Sequence, residues 1–126
     1  MNPIETFNTE CKNRIESQGK NEPLLQASKS FTEASIQSGY SFNFKWMGRP
    51  IIQYPQDIVA MQEIIWEIKP DLIIETGIAH GGSLIYYASL LELIGKGTVL
   101  GVDIDIRKHN REEIEKHPMF KRISMI

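Results

Sequence analysis

The chain has 126 residues, 41% of them apolar and 24% charged, and a net charge of −2. That is room for one domain of ordinary globular composition and not two. Its weak acidity argues against nucleic acid and anionic membrane as partners, because the basic residues form only scattered pairs such as Arg107-Lys108 and Lys121-Arg122.

A single cysteine, Cys11, leaves no internal disulfide and fits a reducing compartment. It lies in a polar amphipathic stretch and reads as a plain thiol rather than a catalytic one. The N-terminus lacks the basic-then-apolar pattern of a secretory signal. The most apolar stretch, 84–94, contains Ser89 and Glu92 and is too short to span a bilayer. These features predict a cytoplasmic protein.

In chain order, Ile4, Phe7, Cys11 and Ile15 recur at helical spacing, and 19–23 reads as a break. A second helix is expected over 24–37, ending near Gly39. The stretch 42–55 carries Phe42, Phe44, Trp46 and Tyr54 between Gly48, Pro50 and Pro55. It reads as an ordered loop, packed on the domain or lining a pocket. From Pro55 to Ile68 the stripe Ile58, Met61, Ile65, Ile68 predicts a helix, with Asp57 suited to its positive end and Pro70 stopping it.

Asp71 to Glu75 is a continuous apolar run closed by an acid, as in a parallel strand buried on both faces. A Gly-rich turn spans 76–82, a helix 83–94 with Gly95 as its C-cap, and a strand 98–102 ending at Asp103. A short helix is expected over 110–117, with Asn110 as N-cap and Glu113 completing a variant capping box, and a third strand over 121–126. From Asp71 onward the order is β-α-β-α-β. That is one half of a doubly wound α/β sheet, with the second strand beside the first and the third beyond it.

The chemistry concentrates in Glu75-Thr-Gly77-Ile-Ala-His-Gly81-Gly82-Ser83. Gly77 can take dihedrals closed to other residues. Bare Gly81 and Gly82 would let a ligand approach the backbone where the next helix offers its N–H groups. Asp103, ending the neighbouring strand, could accept the hydroxyls of a ribose. Gly77, Ala79 and Gly82 also read as a relaxed dinucleotide fingerprint, with Asp103 at a fitting distance along the chain. Glu75 argues against that reading: its charge repels a pyrophosphate and attracts an ammonium or sulfonium, as in S-adenosylmethionine. The alternative for each acid is structural, Glu75 capping the turn and Asp103 the loop after it. The two acids ending strands of one βαβ unit favour a shared cofactor pocket.

Trp46-Met-Gly-Arg-Pro-Ile-Ile-Gln-Tyr-Pro-Gln-Asp57, Lys69-Pro-Asp-Leu-Ile-Ile-Glu-Thr-Gly-Ile-Ala-His-Gly-Gly-Ser83, Gly101-Val-Asp-Ile-Asp105 and His117-Pro118 resemble the cephalosporin hydroxylase family over roughly residues 40–126. The resemblance implies a Rossmann-like class I methyltransferase fold and kinship with rhamnosyl O-methyltransferases. It implies that Glu75, Gly77, Gly81, Gly82, Ser83 and Asp103 contact S-adenosylmethionine; Ala79, in the same turn, is placed with them. The acceptor would be a hydroxyl of a sugar, glycan or small natural product. Mg2+ belongs to the family as well, but its acidic ligands are implied on later strands. No metal ligand is therefore assigned here, Asp105 being read as a loop-capping or supporting residue. His80 reads as an exposed turn residue rather than a general base, His109 and His117 as helix-boundary residues, and no catalytic residue is named.

The resemblance implies a wider sheet than this sequence supplies. The expected division is an N-terminal helical extension, 1–45, and a partial cofactor domain, 46–126, truncated before the sheet is complete. Its first strand would then be an apolar edge open to pairing, a route to a homo-oligomer. The rival readings are a fragment of an NAD-type oxidoreductase and a non-catalytic assembly module.

Overall fold

The structure is a computed structural model and describes residues 2–126. It divides into two compact units, Met1–Tyr40 and Ser41–Ile126. The first holds α1 (Pro3–Gln18) and α2 (Glu22–Ser38). Asn2 and Glu5 close a capping box at the start of α1, and Asn21 caps α2. Gly39, at φ 69°, ends α2.

The second unit opens with a finding that sequence patterning misses. Within 42–55 the chain forms an antiparallel hairpin, β1 (Phe44–Trp46) with β2 (Arg49–Ile51), rather than an irregular loop. Trp46 pairs with Arg49 across a two-residue turn in which Met47 (φ 44°) and Gly48 (φ 88°) both take positive φ, the twist that hairpins favour. The strands are too short to show an alternating pattern. The packing part of the expectation holds: Phe44 and Trp46 lie against the core, and the indole Nε1 donates to Ser89 Oγ at 2.9 Å.

Helix α3 (Pro55–Ile68) follows, with Pro55 in its first turn and Lys69 in the left-handed region as its C-cap. Then come β3 (Leu72–Thr76), α4 (Gly82–Ile94), β4 (Thr98–Val102), α5 (Lys108–Lys116) and β5 (Ile123–Met125). A 3-10 turn, Pro118–Arg122, takes the first residues expected of the last strand. The sheet is parallel in the order β3-β4-β5, the order expected, with Glu75 opposite Gly101.

Helix α4 is the centre of the unit. Leu84, Ile85, Ala88 and Leu91 are fully buried, packed with Ile51, Ile78, Val99, Ile114 and Ile123. Gly101 on β4 meets Leu84 so closely that an added Cβ would lie 2.9 Å from its Cδ1. The expectation that β3 is buried on both faces is overturned. Leu72 is 50% and Ile74 59% exposed, and burial alternates along the strand: the side chain packed against the core is Ile73, on the opposite face. Ile68, expected in the apolar stripe of α3, is exposed, and Ile65 is the residue of that stripe that is buried.

The expected cap at Asn110 is also overturned. Helix α5 starts two residues earlier, at Lys108, and Asn110 lies inside it, 5% exposed. Its carboxamide is used across the fold rather than by its own helix. Glu113 pairs instead with Lys116 on the surface.

Candidate cofactor site

Both acids that attract attention in the sequence stand where parallel strands end. Glu75 is the penultimate residue of β3, and its carboxylate accepts from Ser83 Oγ, at the start of α4, at 2.6 Å. Burial pushes its carboxyl group above the ordinary value of 4.5, and the Ser83 hydroxyl holds it down in part. The neighbouring Tyr87 phenol is pushed up first by its own burial and then by the Glu75 charge.

Asp103 behaves in the opposite way. The Ile78 N–H donates to its Oδ2 at 2.7 Å and the Asp105 N–H to its Oδ1 at 3.1 Å. These bonds hold its carboxyl group below 3.8. Asp103 thus does cap its own loop, and it also pins the glycine turn.

The turn between β3 and α4 alternates backbone hands: Gly77 (φ 83°), Ala79 (φ 49°) and Gly81 (φ 82°) are all left-handed. For Ala79 that conformation costs about 1–2 kcal/mol, so something outside the turn must hold it. Three contacts do. Asp103 takes the Ile78 N–H, Asn110 Nδ2 donates to the Ala79 carbonyl at 3.0 Å, and Arg49 Nε and Nη2 donate to the His80 carbonyl at 3.1 and 2.8 Å. Arg49 Nη2 also reaches Asn110 Oδ1 at 3.1 Å. Arg49 lies within the first of the resembling segments and Asn110 reads as a cap, and neither reading points to this turn. Only the meeting of β2, the turn and α5 reveals them.

The glycines divide by role. A Cβ on Gly82 would lie 2.1 Å from the Pro50 carbonyl oxygen, and one on Gly81 2.3 Å from Ile114 Cδ1. At those two positions the hairpin and α5 pack onto the backbone and leave no room for a side chain, and Gly82 also lines a hollow. Gly77 is different: nothing lies within 4 Å of where its Cβ would be.

Two adjoining hollows result. One, about 220 Å³, is lined by Gln53, Glu75, Gly77, Gly82 and Ser83 among others. The other, about 400 Å³, is lined by Asp103, Asp105, Arg107 and Asn110. Ala79 and His80 line both. Glu75 lines the first hollow and Asp103 the second, and the two adjoin at Ala79 and His80. His80 is exposed, as expected, and its carbonyl rather than its ring is engaged. His117 joins the α5 end to the hairpin through the Met47 carbonyl at 2.9 Å. Among the described residues no group of three or more His, Cys, Asp or Glu is placed to hold a metal, and no helix is long and apolar enough to cross a membrane.

Residues 38–126 match the family described as Rhamnosyl O-methyltransferase/CmcI. The rhamnosyl O-methyltransferase of Mycobacterium leprae (strain TN) is 40% identical over 60 residues, 47% of this chain and 26% of that protein. Its counterpart in Mycobacterium tuberculosis (strain ATCC 25618 / H37Rv) is 39% identical over 59 residues, 46% of this chain and 24% of that protein. A solved structure of CmcI with SAH superposes with a TM-score of 0.52 at 25% identity, over 66% of this chain and 41% of that one. A second, described as Mg-SAM, gives 0.53 at 24% identity, over 68% and 35%, and speaks for the fold. The match thus spans about a quarter of the curated relatives' length.

Proposed function

The chain belongs to the Rhamnosyl O-methyltransferase/CmcI family, and we propose that it carries the S-adenosylmethionine half of an O-methyltransferase site. Residues 46–126 form the N-terminal part of that cofactor domain, with 1–45 as an extension. The whole protein would methylate a hydroxyl of a sugar, glycan or small natural product, in a cytoplasmic setting and without nucleic acid or membrane as partner.

One observation carries the cofactor reading: a partly desolvated carboxylate, Glu75, lines the same hollow as the open face of Gly77, in the turn that leads into α4. A half-buried carboxylate hydrogen-bonded to a serine hydroxyl favours a cationic ligand over a phosphate. Glu75 would face the ammonium of the methionine part. Gly77, Ala79, Gly81, Gly82 and Ser83 would bound that part along the turn, and Asp103, in the adjoining hollow, would accept the ribose hydroxyls. When bound, the cofactor supplies an electrophilic methyl group. What these residues contribute is binding and alignment. CmcI has been solved as Mg-SAM; a magnesium requirement, with ligands outside these residues, is part of the proposal.

The test is a pair of calorimetric titrations of the 126-residue chain, one with S-adenosylhomocysteine and one with NAD. Preference for S-adenosylhomocysteine is expected. Tighter NAD binding would replace this reading with the oxidoreductase one.

A second reading, assembly, is favoured by a specific observation: the unpaired edge of β3 with Leu72 and Ile74 exposed. Self-association through that edge would appear as a concentration-dependent oligomer in gel filtration. A strict monomer over the range tested would remove it.

A further inference from the structure

We infer that Arg49 is a positioning residue for the cofactor turn, setting ligand affinity from the hairpin through the peptide planes of Ala79 and His80. This rests on the cofactor reading above but goes beyond it, since Arg49 lines neither hollow.

The turn 77–81 has little of its own to keep its shape. Its internal backbone bond is Gly81 N–H to the Ile78 carbonyl at 2.9 Å, and Ala79 sits at φ 49°. A trans peptide carries its C=O and N–H on opposite sides. Fixing the Ala79 carbonyl therefore turns the His80 N–H away from Asn110, and fixing the His80 carbonyl orients the Gly81 N–H. Asn110 does the first and Arg49 the second. Arg49 also holds Asn110 by its Oδ1, which leaves Nδ2 directed at Ala79. One guanidinium thus governs both planes.

The support behind Arg49 is rigid. It pairs with Trp46 across the hairpin, Trp46 is bonded to Ser89 on α4, and the next residue, Pro50, abuts Gly82. The planar guanidinium serves both acceptors from donors held in a fixed relation to each other. A lysine ammonium would restore the charge without that fixed geometry.

The experiment uses the full chain with Arg49→Ala, Arg49→Lys and the unaltered protein. Three quantities are read: S-adenosylhomocysteine affinity, amide hydrogen exchange along the chain, and Tm. Arg49→Ala is expected to weaken binding about tenfold, ~1.4 kcal/mol. Faster exchange should be confined to 78–82, with Tm little changed. Arg49→Lys is expected to remain weak, while millimolar methylguanidinium added to Arg49→Ala recovers affinity.

Unchanged affinity in both variants overturns the inference. So does a Tm collapse with exchange rising throughout in both, which marks a structural role alone. If the unaltered chain binds no S-adenosylhomocysteine, the cofactor reading is what fails. The exchange data then decide the Arg49 inference: local loss of protection at 78–82 upholds it, and unchanged protection overturns it.

Discussion

The two parallel strands that end at the site, β3 and β4, look alike in sequence and live in different surroundings. β4 is paired on both edges, with Val99 1% exposed and Gly101 pressed on Leu84. Its terminal acid, Asp103, is met by backbone N–H groups and held below 3.8. β3 is paired on one edge, with Leu72 and Ile74 exposed. Its acid, Glu75, is desolvated with one hydroxyl for company and raised above 4.5. The difference teaches that similar acids near the ends of neighbouring strands can do different work. Asp103 stabilises the turn without any ligand. Glu75 carries a charge that the protein alone leaves poorly compensated, as expected of a group awaiting a cation.

The contrast should appear first in the strand cores. Val99→Ala should cost about 2 kcal/mol in urea unfolding, since the site is closed and cannot refill. Glu75→Gln should weaken S-adenosylhomocysteine about tenfold, ~1.4 kcal/mol, yet leave the unliganded chain no less stable at neutral pH. The sign follows from its raised value: the folded state holds the proton more tightly. The stability this contributes is full below 4.5 and is lost as pH rises through the folded value. Thermal unfolding against pH should show that decline in the unaltered protein and not in Glu75→Gln.

Asp103→Asn should act in the opposite sense and destabilise the unliganded chain. Here the folded value is lowered, so the contribution is present above 3.8 and disappears as pH falls through the folded value. The gap between variant and unaltered protein should close on acidification below 3.8. If both variants shift stability in the same direction at neutral pH, the contrast between the two acids is wrong. The smallest effect is expected at Ile74→Ala, within about 0.5 kcal/mol, because its side chain already meets water. A loss comparable to Val99→Ala would mean the β3 edge is covered in solution.

Much of the fold was legible because local chemistry decides it. The apolar runs of β3 and β4, Pro55 at a helix start, and Gly95 (φ 93°) at a helix end depend on neighbours in the chain. So do the β-α-β-α-β order and the bend at Gly77. The sequence also placed an acid at the end of each of the first two strands of that series.

What the tertiary structure alone decided are contacts between distant segments. Asn110 has the chemistry of a cap, and becomes a clamp only because the Ala79 carbonyl, 31 residues away, arrives beside it. Arg49 reaches Asn110 across 61 residues, and Gly82 is bare for the sake of Pro50. The apolar run of β3 specifies a strand, but whether each of its faces is buried depends on what packs over it. Backbone preference belongs to a residue and its neighbours, whereas a partner, a wall or an open edge belongs to whichever segment packs there.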